Sequence, residues 1–225
     1  MKISTKYGFA FLCNPKCAST SIENAIDDIC NIKFAGHPKI KHMNARGFET
    51  YLENFHLKIY PKIEIESFCI FRDPYQWIES WYKYRARAEL KSTSHPNHKN
   101  YTGDITYNEF IEAYTSNGKR PPFAILPTQF DFIKSSSDEI YVDNIFTVDN
   151  LSAVSDFLEV KTGKKIIIPQ KNISPKQKVE ELEYKTRTKL ESHLEKDITL
   201  YNHIKETGRY KKSRDQSIIP KIKNA

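Results

Sequence analysis

The chain has 225 residues, of which 39% are hydrophobic, 12% aromatic and 28% charged. This composition excludes a disordered or fibrous chain and suits one sizeable core, so a single domain is expected over residues 1–207, followed by a basic tail over 208–225. The formal net charge of +7 favours anionic partners (nucleotides, nucleic acid, acidic glycans or a membrane surface) without choosing among them.

Lys2 and Lys6 precede an apolar run that stops at Pro15, too short for the core of a secretory leader or for a membrane span. Cys13, Cys17, Cys30 and Cys69 have no Cys-x-x-Cys spacing, and the reducing cytoplasm is the expected compartment. Residues 7–13 form a continuous apolar run of strand length, closed by Asn14-Pro15. After a Ser/Thr cluster able to cap a helix, Ile22, Ala25, Ile26 and Ile29 recur at helical spacing, giving strand, tight turn, helix. Residues 45–56 read as an amphipathic helix with Phe48, Leu52 and Phe55 inward.

The pattern returns at residues 67–71, another apolar run, followed by Arg72-Asp73-Pro74. Asp73 as N-cap and Pro74 as first helical residue open a helix with Trp77, Ile78, Trp81 and Tyr84 on one face. Residues 89–104 lack apolar periodicity and read as a long binding loop. Thr106 and Glu109 form a capping box for a helix that buries Phe110, Ile111 and Tyr114. Residues 144–148 are a third strand, leading to a helix with Leu151, Val154, Phe157 and Leu158 inward, and residues 165–168 a fourth. Ser174-Pro175 with Gln177 opens a long final helix through Leu190, Leu194, Ile198 and Tyr201.

Alternating strands and helices predict an α/β fold with a mostly parallel central sheet and helices on both faces, binding ligands at the carboxyl ends of its strands. Both strand-turn-helix junctions would lie at that edge. The first, Asn14 to Ser21, sets one lysine and three hydroxyls (Lys16, Ser19, Thr20, Ser21) where a helix N-terminus attracts anions. It is no Walker loop, lacking GxxxxGK[ST]. It is no cysteine-phosphatase loop either, since Glu23 stands where the arginine would be. Each junction alone also reads as a capped helix with a solvated cation, and Trp77 with Trp81 as plain core; two such junctions, each after a buried strand, favour an anion site.

Pro15-Lys16-Cys17-Ala18-Ser19-Thr20-Ser21 resembles the 5′-phosphosulfate loop of sulfotransferases that use 3′-phosphoadenosine 5′-phosphosulfate (PAPS), and Arg72 with Ser80 eight residues on resembles their 3′-phosphate site. Shorter pieces are similar to the carbohydrate branch of that family: Lys41-His42-x-x-Ala45, Gln129, Asn172-x-Ser174, and Asp197 with Tyr201. Cys17 and Ala18 depart from the commoner Ser/Thr and Gly, leaving only backbone donors there. The resemblance spans residues 7–205 and implies a P-loop-like sulfotransferase fold with PAPS as donor and no metal.

It further implies in-line displacement at sulfur. Lys16 neutralises charge on the leaving oxygen, and His42 removes the acceptor's proton, with His37, His56 or a carboxylate as substitutes. Residues 16–21, Arg72, Ser80 and Ser174 would hold the donor, although Ser174 also serves as a helix cap. A glycan or glycolipid hydroxyl is the expected acceptor; nucleic acid is not expected, because Lys and Glu are interspersed outside the tail. The tail could touch a membrane periphery. The competing functions are a small nucleotide kinase and a non-catalytic basic anion-binding module.

Overall fold

The computed structural model describes residues 1–53, 55, 58, 64–169 and 179–213. Among these residues six strands, β1 (Lys2–Ser4), β2 (Phe9–Phe11), β3 (Ile32–Lys33), β4 (Glu66–Phe71), β5 (Asn144–Thr147) and β6 (Tyr210–Lys211), form one sheet in the order β3-β1-β2-β4-β5-β6. The centre is parallel: Phe9 pairs with Glu66 and Phe68 with Asn144. The flanking strands β1, β3 and β6 run antiparallel to their neighbours, so the sheet is mixed, and the expected parallel arrangement holds in its middle.

The helical segments in chain order are α1 (Ser19–Ala25), α2 (Pro38–Lys41), α3 (Ala45–Gly47), α4 (Pro74–Arg85), α5 (Tyr107–Tyr114), α6 (Gln129–Ile133), α7 (Leu151–Thr162), α8 (Tyr184–His193) and α9 (Glu195–Thr207). Side chains of period two divide the core into two layers. Phe9, Phe11, Phe68, Ile70 and Phe146 point to one face and pack with residues of α4, α5, α7 and α8. Ala10, Leu12, Cys69, Phe71 and Ile145 point to the other, against α3, α6 and α9. Helices therefore cover both faces, as strands this apolar on both sides require.

Local signals explain the helix starts. The Asp73 side chain accepts from Gln76 N at 2.9 Å with Pro74 behind it, and Thr106 and Glu109 exchange both capping-box bonds. Such caps contribute about 1 kcal/mol each.

Four expectations need correction. Residues 7–13 supply a ladder of only Phe9–Phe11, because Gly8 turns into the left-handed region (φ 64°), where a Cβ would meet the Glu64 carbonyl at 2.7 Å. The 45–56 helix continues past α3 as a π-helix, Phe48–Glu53, whose wider turn rotates Phe55 outward to 60% exposure. Residues 165–168 form no strand; Ile168 is buried while Ile167 is exposed, without a ladder partner. The final helix begins at Tyr184 and breaks at Leu194 into α8 and α9, and its expected opening at Ser174 lies outside the described residues. The 89–104 loop carries two short 3-10 turns, Ala88–Lys91 and His98–Asn100, pinned where His98 Nδ1 donates to the Leu90 carbonyl at 3.0 Å.

Candidate anion-binding site

Because β2 and β4 are parallel neighbours, the segments leaving them emerge side by side at the carboxyl edge. Asn14 Nδ2 donates to the Ile70 carbonyl at 3.1 Å, Trp77 Nε1 to the Pro15 carbonyl at 3.1 Å, and Arg72 Nη1 to the Lys16 carbonyl at 3.4 Å. The two predicted junctions are thus in direct contact. Gln129, fully buried at the start of α6, joins them: its Oε1 accepts from Arg72 N at 2.9 Å, Cys17 Sγ at 3.2 Å and Asn14 Nδ2 at 3.4 Å, and its Nε2 donates to the Arg72 carbonyl at 2.9 Å. Asp197, 1% exposed, holds Gln129 in turn by accepting its backbone N–H at 2.8 Å. Burial raises the Asp197 carboxyl to about 7 against the pull of the Gln129 and Phe130 N–H groups.

The first loop is wound tightly. Lys16 (φ 66°) and Ala18 (φ 54°) both occupy the left-handed region, which costs a side-chain-bearing residue about 1–2 kcal/mol. The loop holds this shape through the donors above and through Ser19 Oγ, which donates to the Asn14 carbonyl at 2.6 Å. That bond engages the Ser19 hydroxyl, and the Cys17 thiol is turned inward to Gln129. Burial pushes the Cys17 thiol far up, so it stays protonated and Cys17 offers a ligand its backbone alone. Thr20 is exposed on the first turn of α1, and Ser21 is buried and engaged.

The electrostatics are lopsided. Lys16 Nζ lies 4.5 Å from the Tyr84 ring centre and 5.8 Å from that of Trp81, and the Arg87 guanidinium lies 5.2 Å from the Tyr84 ring centre. Burial, then the positive fields of Arg87 and Arg72, bring the Lys16 ammonium down to about 8. Among the described residues no carboxylate pairs with Lys16, Arg72 or Arg87. Buried Nε of Arg72 and Nε1 of Trp81 also have no hydrogen-bond acceptor there. Ser80 stands half-buried on α4, one turn before Tyr84 on the same flank. Unbalanced cations beside unused donors are what a polyanion requires.

His42 follows α2, and its Nδ1 donates to the Cys13 carbonyl at 2.7 Å, at the end of the strand that launches the first loop. That bond fixes the tautomer and leaves Nε2 with a free lone pair. Burial lowers the imidazole's pKa, partly offset by the bond to Cys13, so the ring is neutral at pH 7. Ser174 and His56 lie outside the described residues.

The sequence motifs omitted Asn14, Tyr84 and Arg87 from the site, and the pair Trp77 and Trp81 divides between roles: Trp77 is 2% exposed in the core, and Trp81 lies beside Lys16. The signal was the run Trp81, Tyr84, Arg87 at successive spacings of three: Trp81 and Tyr84 share one flank of α4, and Arg87 follows just past its end at Arg85 with extended backbone. A hollow of about 670 Å³ bordered by Glu66, Asn144 and Lys161 lies at the amino ends of β4 and β5, the opposite edge of the sheet, and has no part in this cluster.

Fold and site together define a class: an α/β protein with unpaired cations at the carboxyl edge of its parallel strands. No family model matches the chain, and a search of curated proteins finds no match. Among the described residues no helix is long and apolar enough to cross a membrane.

Proposed function

We propose that this protein is a sulfotransferase of P-loop-like fold that moves a sulfuryl group from PAPS to a hydroxyl of a glycan or glycolipid. The observation that carries the reading is the contact of Arg72 with the Lys16 loop, which unites two short anion-binding motifs in one cluster with no carboxylate to balance it among the described residues.

The residues present fit the donor. Arg72 keeps its buried Nε unused, and Ser80 stands on the helix that Arg72 precedes; these two would grip the 3′-phosphate. Lys16, with Thr20 and the backbone N–H groups of Cys17, Ala18 and Ser19, would hold the 5′-phosphosulfate; the Ser21 N–H is engaged by the Ala18 carbonyl at 3.1 Å. The donor supplies a reactive sulfur joined to phosphate through a bridging oxygen. In this reading Lys16 would supply the cation that opposes charge growing on that leaving oxygen. His42, neutral and with Nε2 free, is the group that accepts the acceptor hydroxyl's proton, and no metal is called on. The reading puts the enzyme in the cytoplasm, where buried free thiols such as Cys13, Cys17 and Cys69 persist.

Calorimetric titration with 3′-phosphoadenosine 5′-phosphate, ATP and ADP tests the donor. Binding of the 3′-phosphorylated nucleotide is expected to weaken by one to two orders of magnitude in Arg72→Ala, with ATP bound poorly. A preference for ATP would move the reading to a kinase; no nucleotide binding would move it to an anion-binding module.

A further inference from the structure

A second groove, of about 460 Å³, opens between the end of α4, the approach to α5 and residues 179–180, and it shares Arg87 with the lysine cluster. Its volume lies in the range of small-molecule sites. The half-buried Tyr82 is the aromatic side of the groove, backed by the core residue Tyr107 with ring centres 5.2 Å apart, and it is fixed by donating from its hydroxyl to the Ile105 carbonyl at 2.9 Å. Two cations, Lys83 and Arg87, and two carboxylates, Asp104 and Glu180, complete the lining.

The charges fix the chemistry of the occupant. Lys83 is paired with Glu79, and Glu180 accepts from Asn108 N at 2.8 Å, whereas Arg87 and Asp104 have no ion-pair partner among the described residues. With equal numbers of positive and negative side chains the groove has no surplus for an anionic ligand. It presents the unpaired Arg87 and Asp104, one donor and one acceptor, together with the Tyr82 ring, which suits a neutral polyhydroxyl compound. Lys16 Nζ and the Arg87 guanidinium lie 4.5 Å and 5.2 Å from the same Tyr84 ring centre, so they are at most about 10 Å apart, roughly the reach of a disaccharide.

We infer that this groove is the subsite for the neutral sugars that flank the reacting hydroxyl, with Arg87 and Asp104 as the residues that select them. The link to transfer rests on the sulfotransferase reading; the sugar site itself does not. A hydroxyl-bearing residue of the glycan would reach toward Lys16 while its neighbours rest on the exposed part of Tyr82.

Backbone amide shifts on titration with N-acetyllactosamine test the assignment, with a sulfated heparin disaccharide for comparison and 3′-phosphoadenosine 5′-phosphate titrated in parallel. Expected are saturable shifts at Ala86, Arg87 and residues 105–107, and at least fivefold weaker binding in Asp104→Ala and Arg87→Ala, both exposed positions that tolerate truncation. Absence of shifts at those amides, or tighter binding of the sulfated disaccharide, overturns the assignment. Sugar shifts retained in a protein that ignores the 3′-phosphorylated nucleotide would overturn the donor reading and leave the sugar site standing.

Discussion

Lys16 makes the site's charge state measurable. In the free protein its ammonium sits near 8, against 10.5 for an unburdened lysine, because it is buried beside Arg87 and Arg72. A polyanion bound there opposes both cations and restores the ammonium, so binding must be accompanied by proton uptake. At pH 8 half the free lysines are neutral, which gives about 0.5 proton taken up per nucleotide, falling to about 0.1 at pH 7 and rising to about 0.9 at pH 9. The same linkage weakens affinity for 3′-phosphoadenosine 5′-phosphate about fivefold between pH 8 and pH 9. At pH 8 and 9 phosphate protons do not interfere, since the second phosphate ionisation lies near pH 6. Calorimetry in buffers of different ionisation enthalpy reads the uptake directly. Lys16→Arg, which keeps the charge but cannot release a proton in this range, should bind with no such uptake at pH 8. Equal uptake in wild type and Lys16→Arg would refute the account, as would an affinity that stays flat from pH 8 to pH 9.

Ala18→Gly relieves a left-handed alanine and is expected to stabilise the fold by about 0.5–1 kcal/mol after the extra flexibility of the unfolded chain is subtracted, read as a shifted urea midpoint. Gln129→Leu strands the Arg72 N–H and carbonyl; it should destabilise by roughly 2–4 kcal/mol in urea and weaken nucleotide binding with it, and a change below about 1 kcal/mol would contradict the joining role. His42→Gln should lower kcat by about 10²–10⁴ with nucleotide affinity unchanged, and should abolish the acid limb of the pH profile, which in the wild type falls below the ordinary histidine value of 6.5.

The parts of the fold legible in the sequence were those with local chemistry behind them. Asp73-Pro74 and Thr106 with Glu109 announce helices whatever surrounds them, and the runs at 67–71 and 144–148 are apolar on both faces because helices cover both. The antiparallel strands were not legible: β1, β3 and β6 are three residues or fewer, and Lys2 and Lys33 lie within β1 and β3. Lys2 is accepted into a strand only because its ammonium reaches the Glu23 carbonyl at 2.8 Å and pairs with Asp27, partners 21 and 25 residues away. Residues 165–168 show the converse, an apolar stretch with no neighbouring edge left to pair with once β6 occupies the free side of β5.

At the site, what could be read was residue type, and what could not was the division of labour. The hydroxyl run at 19–21 looks like three equivalent phosphate donors, yet Ser19 closes the loop onto Asn14 and Ser21 is buried, leaving Thr20 as the exposed hydroxyl. A loop with two left-handed residues has to be tied down from within, and the nearest polar side chain does it. Arg72 is similarly divided: its backbone N–H serves Gln129, Nη1 serves the Lys16 carbonyl, and Nε is held in reserve. Such a residue binds an anion well only if its other bonds are already made, because a guanidinium that must first be oriented loses part of each new bond to ordering. The dense hydrogen bonding around Gln129 and the unused donor beside it are therefore one design: rigidity in the frame keeps the free groups aimed.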